Sequence, residues 1–457
     1  MRFLKSVSTT LVFKAIAMAA GLAVSIVIAR VLGPEGRGVY ALVMTIIVMS
    51  ASFGVFGLTA ANTFFVAKNG QLARTIGTQS VIAGLAGALL SILVIYFLHT
   101  MNPAIFKGLN DVTLELTSAM IPLFLWGNLF AFAYLGRGKI LAFNSFETGQ
   151  RAIFFVLSLL ILWHWQKSLE IYLAAVLSVI GILVMVYIIN YYRDISHGPI
   201  YESGYTATSL GYGIKSYMAT LLTLTVMRSG VLFTNYFGGN ENAGFFAVAQ
   251  QISELVIIIP TVVGTVLFGR ISRGDSYYLT PLVLRTITAL FLPVTLLLFY
   301  VGDWLIISIF GEAFTGAIVP LKIMLPGAFL LGLEVIMAKD IAGRGYPWPA
   351  VLAWVPVLII NVVGFVVLIP RFGVNGAAIS VSISFLTIFA LITSYYVKLT
   401  ETSFSRLFLI QKQDVRTLLT EFQSLIFANR LTENKGRQSE NQTASDQTKT
   451  KMQSVES

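Results

Sequence analysis

Apolar segments long enough to cross a bilayer recur along almost the whole chain, and no other feature so narrows what it can fold into. They fall at about 9–29, 39–62, 76–98, 116–135, 148–165 and 169–192, then at about 210–237, 243–268, 281–301, 316–338, 348–369 and 374–396. About 20 apolar residues cross the hydrocarbon core as a helix, which satisfies its own backbone hydrogen bonds where no water can. Charged residues make up only 11% of the 457, against about 25% in a soluble domain. The expected class is an all-α polytopic membrane protein with about twelve transmembrane helices. The first segment is expected to stay in the mature chain: it is as long as the others, carries Lys14, and ends in Ala29–Gly33 without a small-residue cleavage site. With no cysteine, thiolate metal sites, iron–sulfur clusters and a Cys nucleophile are excluded.

The formal charge of +10 is explained by topology and not by nucleic acid, because the basic residues flank the spans. With the N-terminus inside, the inner segments hold Arg2, Lys5, Lys68, Arg74, Arg137, Lys139, Arg151, Arg193, Arg270, Arg273, Arg285, Lys339 and Arg344. The outer loops hold only Arg30, Arg37, Lys107, Lys167 and Arg371. This bias places both termini in the cytoplasm.

The spans divide the chain into a six-helix bundle at 1–192, a cytoplasmic loop at 193–209 and a second six-helix bundle at 210–398. Apolar positions recur at helical steps from about 401 to 430, with Arg406, Lys412 and Arg416 among them, so 399–432 reads as an interfacial amphipathic helix on anionic lipid. The Gln/Ser/Thr/Lys-rich 433–457 lacks the apolar content to order itself and reads as a tail.

No phosphate-binding loop is present: before Gly138-Lys139 the required glycine is Ala133, and Ile140 stands where Ser or Thr must be. His99, His164 and His197 have no metal-ligand spacing. Loops are short, whereas a membrane-embedded polymerase or transferase needs polar catalytic residues on long loops. The expectation is a transporter and not an enzyme, with no metal and no cofactor beyond a coupling H⁺ or Na⁺.

The segment Ala29-Arg30-Val31-Leu32-Gly33-Pro34-Glu35-Gly36-Arg37-Gly38-Val39-Tyr40-Ala41 resembles the first-hairpin signature of bacterial polysaccharide transporters. These are the Wzx-type repeat-unit flippases of the multidrug/oligosaccharidyl-lipid/polysaccharide (MOP) exporter superfamily. In it Gly33, Pro34, Glu35, Gly36 and Gly38 supply a tight turn between two long helices. Val266–Ser272 is similar to the family's motif at the inner end of helix eight, with Gly269 where proline is common, and Pro370–Ile379 is similar to its turn into helix twelve. An internal echo, Phe237-Gly238 to Ala247, repeats Leu32-Gly33 to Ala41 with one residue inserted, six helices later; it marks two related halves. The resemblance implies two bundles around a central cavity that opens alternately to either face.

Charges within spans are costly and need a reason. Lys14 shares a face with Thr10, Ala17, Gly21 and Ser25, and Lys215 and Arg228 lie on helix seven. One reading gives Arg228, Lys14 and Lys215 to a diphosphate, since guanidinium forks match phosphate oxygens. The other has the two lysines snorkel to the inner edge and Arg228 pair with Glu254 across the next hairpin. Glu254 is also the candidate for the coupling ion. Lys322 and Glu334, near opposite ends of helix ten, read as anchors. Pro122, Pro260, Pro293, Pro326 and Pro356 read as bends.

The resemblance implies a flippase of the bacterial inner membrane. It would carry a polyprenyl-diphosphate-linked oligosaccharide to the outer leaflet for surface polysaccharide assembly, by potential- or ion-driven alternating access. Its partners would be that lipid, membrane lipids and the glycan polymerase and export machinery. The alternatives are a multidrug or organic-cation exporter of the same superfamily, a lipid II flippase and a membrane-embedded glycan polymerase. An organic-cation site should favour carboxylates and aromatics, whereas the spans hold Lys14, Lys215, Arg228 and Lys322 against Glu254 and Glu334.

Overall fold

The computed structural model describes residues 2–165, 167–195, 198–272, 279–346, 348–409 and 411. Its helices are α1 (Arg2–Gly54), α2 (Leu58–Lys68), α3 (Ala73–Met101), α4 (Asp111–Gly136), α5 (Ile140–Leu157), α6 (Leu169–Arg193), α7 (Tyr205–Ile271), α8 (Leu279–Phe310), α9 (Ile318–Gly343), α10 (Trp348–Phe372), α11 (Val374–Thr400) and α12 (Phe404–Phe408).

Ten of the described helical stretches are long and apolar enough to cross a membrane. Two of them, Val12–Gly54 with 43 residues and Tyr205–Phe268 with 64, exceed one crossing, since about 20 residues at 1.5 Å each fill the core. Both fold back on themselves. In α1 the Arg37 Nε donates to Ser25 Oγ at 3.0 Å, although twelve residues of straight helix would separate them by about 18 Å. In α7 the Gln250 amide donates to the Met227 carbonyl at 2.6 Å. The reversals occur at Gly33 (φ 68°, ψ −172°) and Gly239 (φ 79°, ψ −179°), the non-helical residues inside α1 and α7. Each is a left-handed, extended conformation that glycine alone adopts without strain. Counting each hairpin as two crossings turns ten stretches into the twelve expected.

The apolar core is double. One cluster draws on α1 to α6 together with Tyr205 of α7, the other on α7 to α12, and Ala29 and Ala41 of the first hairpin lodge in the second. Hydrocarbon solvates leucine as well as a neighbouring helix does, so association in a bilayer relies on close packing at small residues. Gly54 and Gly87 illustrate it: a Cβ on Gly87 would lie 2.2 Å from the Gly54 carbonyl oxygen.

Three span boundaries differ from the sequence reading. Helix α5 begins at Ile140 and not near 148, because the Asn144 amide donates to Thr10 Oγ1 and the Thr148 hydroxyl to the Phe13 carbonyl, which tie its polar first half to α1. Helix α7 begins at Tyr205, inside the segment read as a loop, where Tyr205 packs edge-on against Phe65 and Ser209 meets Gln79. Of the amphipathic segment at 399–432, α12 is the described helix, seated on α8 and α11 by buried Leu407 and by Phe408 against Phe389; residues 410 and 412–432 and the 433–457 tail lie outside the described residues.

Candidate functional site

The two hairpins interlock at one end of the molecule. A Cβ on Gly38 would lie 1.8 Å from the Asn240 carbonyl oxygen, and a Cβ on Gly244 would lie 2.0 Å from that of Pro34. The contact is reciprocal, as a two-fold repeat requires. The same spacing separates Gly33 from Gly239 (239 − 33 = 206), Pro34 from Asn240 and Gly38 from Gly244 (244 − 38 = 206). The echo therefore needs no inserted residue, a correction to the sequence register: Gly33 answers to Gly239 and not to Gly238. Of the motif, Gly33 makes the turn, Gly38 the close approach, Pro34 its carbonyl partner, and Gly36 packs on Leu32; Glu35 is exposed.

Polar bonds reinforce this end. Arg37, expected in an outer loop, is buried, and its Nη2 donates to Gln251 Oε1 of the other half at 3.1 Å. Arg30 donates to the Ile309 carbonyl at 2.8 Å and to that of Ser308, filling acceptors at the C-terminal end of α8. Asn235 donates to the Lys107 carbonyl at 3.0 Å. The hairpin end is closed by main chain and by hydrogen bonds.

Below the seal, Arg228 and Glu254 face one another across the α7 hairpin at 3.6 Å. Glu254 also accepts from the Gln250 amide at 2.8 Å. Its charge is thus shared, while the Arg228 side chain stays 39% exposed and its guanidinium makes no hydrogen bond among the described residues. Five N–H donors point from a fixed plane with one partly occupied carboxylate nearby.

Depth follows from the helical rise. Arg228 stands eleven residues before Gly239, about 16 Å from the hairpin turn. Lys14, nineteen residues before Gly33, stands about 28 Å away, and Lys215 about 36 Å. Both lysines are exposed, without an ion pair among the described residues. The three predicted cations therefore stand at three different distances from the hairpin turns.

A cation the sequence reading left in a loop stands closer to Arg228 in depth. Arg151 lies three turns into α5, and its Nη1 is 2.7 Å from where a Cβ on Gly21 would be. Gly21 is twelve residues before Gly33, about 18 Å from the turn. Arg151 of the first half and Arg228 of the second thus stand at similar distances, about 16 to 18 Å, from the hairpin turns. The signal available in the sequence is the polar face of α5, Asn144, Thr148 and Arg151 at helical spacing; a span beginning at 148 leaves out Asn144, and counting Arg151 with the inner segments hides that it lies within the helix.

Other charges expected in or near the spans are partnered or buried. Lys322 is bound to Asp303 of α8 at 2.7 Å and lies over the Phe299 ring, so it is a partnered residue and not a free anchor. Glu334, also expected to reach an interface, is 2% exposed and does not. Buried Asp340, which the sequence reading missed, receives two bonds from Arg344, at 2.9 and 3.1 Å, and one from the Tyr396 hydroxyl. Outside the spans, the Lys139 ammonium bonded to Asp194 holds that carboxyl below its ordinary range. His99 rests against Phe106, and His197 lies outside the described residues. Among the described residues no three His, Cys, Asp or Glu side chains group as a metal site.

With this geometry in view, the fold is similar to several solved transporters. A lipid II flippase MurJ in an inward closed conformation superposes with a TM-score of 0.70 at 14% identity, over 93% of this chain and 99% of that one. An inward-facing multidrug resistance transporter of the MATE family, of the MOP superfamily, superposes with a TM-score of 0.65 at 15% identity, over 86% and 99%. A MOP superfamily transporter from Pyrococcus furiosus Vc1, described as having a binding pocket of reversed polarity, gives 0.61 at 15%, over 88% and 96%. At such identities the likeness shows the fold. No curated protein matches by sequence. The profile of one family, described as polysaccharide biosynthesis protein, matches residues 3–275, more than half of the chain. The chain is a member of the polysaccharide biosynthesis protein family, with the MOP transporter fold.

Proposed function

We propose that the protein carries a polyprenyl-diphosphate-linked oligosaccharide from the cytoplasmic to the outer leaflet of the bacterial inner membrane, with both termini cytoplasmic, and that it acts as a carrier without chemical catalysis. The observation that carries this reading is Arg228: a guanidinium about midway through the membrane, partly exposed, with one shared carboxylate near it and its donors open. An open guanidinium at that depth suits a dianionic diphosphate, which two N–H groups bind side by side. Arg151 supplies the opposing charge from the first half, and Lys14 and Lys215 form a descending line along which an anion enters from the inner face. The seal at the hairpin end leaves the inner side as the way in, and rocking of the halves about that seal would reverse it. The finished lipid would pass to a glycan polymerase or export assembly.

The test is reconstitution in proteoliposomes with a fluorescent polyprenyl-diphosphate oligosaccharide, scoring its passage between leaflets, in parallel with efflux of organic cations. Transfer of the glycolipid is the expected result. Cation efflux without glycolipid transfer across several glycans would assign the protein to drug export instead.

A further inference from the structure

Glu334 is the charge that nothing in this account uses. It sits on α9 sixteen residues from the start of the helix at Ile318 and is 2% exposed. Among the described residues it makes no hydrogen bond and no ion pair. Its place on the helix is set by its neighbours. Gly327, two turns earlier on the same flank, packs on Ser382 of α11, and Met337, three residues later, meets Thr393 of α11. Glu334 therefore faces α11 between those two contacts, where the chain offers Phe385, Ile388 and Phe389, all buried.

The charges on every neighbouring element are engaged or distant. On α7, Arg228 and Glu254 face each other at 3.6 Å across the hairpin, and Arg270 stands at the helix end. On α8, Asp303 holds Lys322 and Arg285 donates to the Arg406 carbonyl. Lys398 ends α11 and Arg371 ends α10. Lys339, more than a turn along α9, is the charge whose field reaches Glu334. An ionised carboxylate in such a place has nothing to replace its water. A metal cation needs several oxygen ligands, and the buried hydroxyls of α11 are already engaged: Ser380 with the Gly376 carbonyl, Ser384 with the Ser380 carbonyl and the Asn361 amide, and Thr393 with Met337; a proton needs only the carboxylate.

From this geometry, and resting on the transporter reading above, we propose that Glu334 is the site of the coupling proton and that the coupling ion is H⁺. The position also suits transmission of movement. Two residues before Glu334, Gly332 lies against Pro260 of α7, with its Cβ position 3.0 Å from the proline ring, and Pro326 stands inside α9 two turns earlier, where its missing N–H removes a helical hydrogen bond. Opening α9 away from α11 exposes the carboxylate and releases the proton to water; closing the interface requires the proton to be bound first. One proton taken up on one side and given up on the other per cycle links the pH gradient to the rocking of the halves.

The experiment uses full-length protein in proteoliposomes, scoring glycolipid transfer under imposed pH or Na⁺ gradients of either sign, with a pH-sensitive dye reporting proton movement. Wild type is expected to respond to the pH gradient, by up to about tenfold per unit for one coupled proton, and to reverse with its sign. Glu334→Gln, a neutral isostere, should transfer without responding to pH and move no protons; Glu334→Asp should restore the response. Infrared difference spectra of wild type should show a carboxylic acid band that tracks pH and is absent from the Gln variant; because the wild-type band can be read alone, the test survives misfolding of the variant. A Gln variant that responds like wild type, a wild type driven by Na⁺ and not by pH, or no such band overturns the proposal. Transfer without pH response sinks only this inference, whereas proton binding without glycolipid transfer sinks only the substrate reading.

Discussion

The two hairpins share a backbone and differ in their charges. At Gly33 and Gly239 the main chain takes the same turn, and Gly38 and Gly244 sink into each other's partner strand of helix with reciprocal geometry. Yet Arg37, which crosses to Gln251, answers at a spacing of 206 to Ala243, and Arg228 answers to Leu22. The far ends of the halves show the same division. In the first, Arg137 lies over the Tyr191 ring at 5.1 Å; in the second, Arg344 lies over Tyr396 at 5.9 Å but is also clamped to buried Asp340. Duplication preserved what the fold needs, main-chain geometry and close approach. The charged side chains diverged, and the functional reading rests on them.

If the seal is as symmetric as it looks, Gly38→Val and Gly244→Val should be equally severe. Each forces side-chain atoms into a facing carbonyl, and a loss above about 4 kcal/mol is expected in both. The measurement is apparent Tm and folded yield in detergent; one tolerated and one lethal variant would break the symmetry.

The next effect separates the far ends. Asp340→Ala removes the buried carboxylate that Arg344 and the Tyr396 hydroxyl share and should cost about 3 kcal/mol. Arg137→Met in the first half removes a half-buried guanidinium from the Tyr191 ring, a contact worth about 1 kcal/mol, so the second-half variant should melt well below the first-half one. Equal melting temperatures would show that the buried clamp adds nothing. Arg37→Met, which leaves Gln251 and Ser25 to water or to each other, should fall between, at about 2 kcal/mol.

The smallest effect concerns the Lys139–Asp194 pair. Because Lys139 lowers the Asp194 carboxyl, its stabilisation is present above the ordinary carboxylate range and fades as pH falls through the lowered value. Both side chains are exposed and screened, so Lys139→Met should leave neutral-pH stability almost unchanged. Whatever difference exists should disappear toward about pH 3 and shrink with salt.

Most of the architecture was legible because membrane helices announce themselves by length and composition, and because the Gly33 turn leaves a string of glycines around a proline. The Arg228–Glu254 pair was legible too, as both residues sit at matching distances from a hairpin. What escaped detection depends on phase and on partners. The repeat was placed one residue off because Phe237-Gly238 imitates Leu32-Gly33 in type, whereas a positive φ at Gly239 decides the register. Arg151 was lost because a polar helix face buried against α1 lowers local hydropathy and shortens the apparent span. Arg37 and Glu334 were assigned to water since a sequence reports depth along a helix and not which neighbours cover it.

The central claim is that Arg228 and Arg151, one from each half, form a single level that binds diphosphate. It is tested most directly by equilibrium binding of polyprenyl diphosphate to wild type, Arg228→Ala, Arg151→Ala and the double variant in nanodiscs, with polyprenol as the uncharged control. Each single variant is expected to weaken diphosphate binding about tenfold, a loss of about 1.4 kcal/mol, Arg228→Lys to recover part of it, and polyprenol binding to stay the same. Unchanged diphosphate affinity in both folded single variants would contradict it and return these arginines to a structural role.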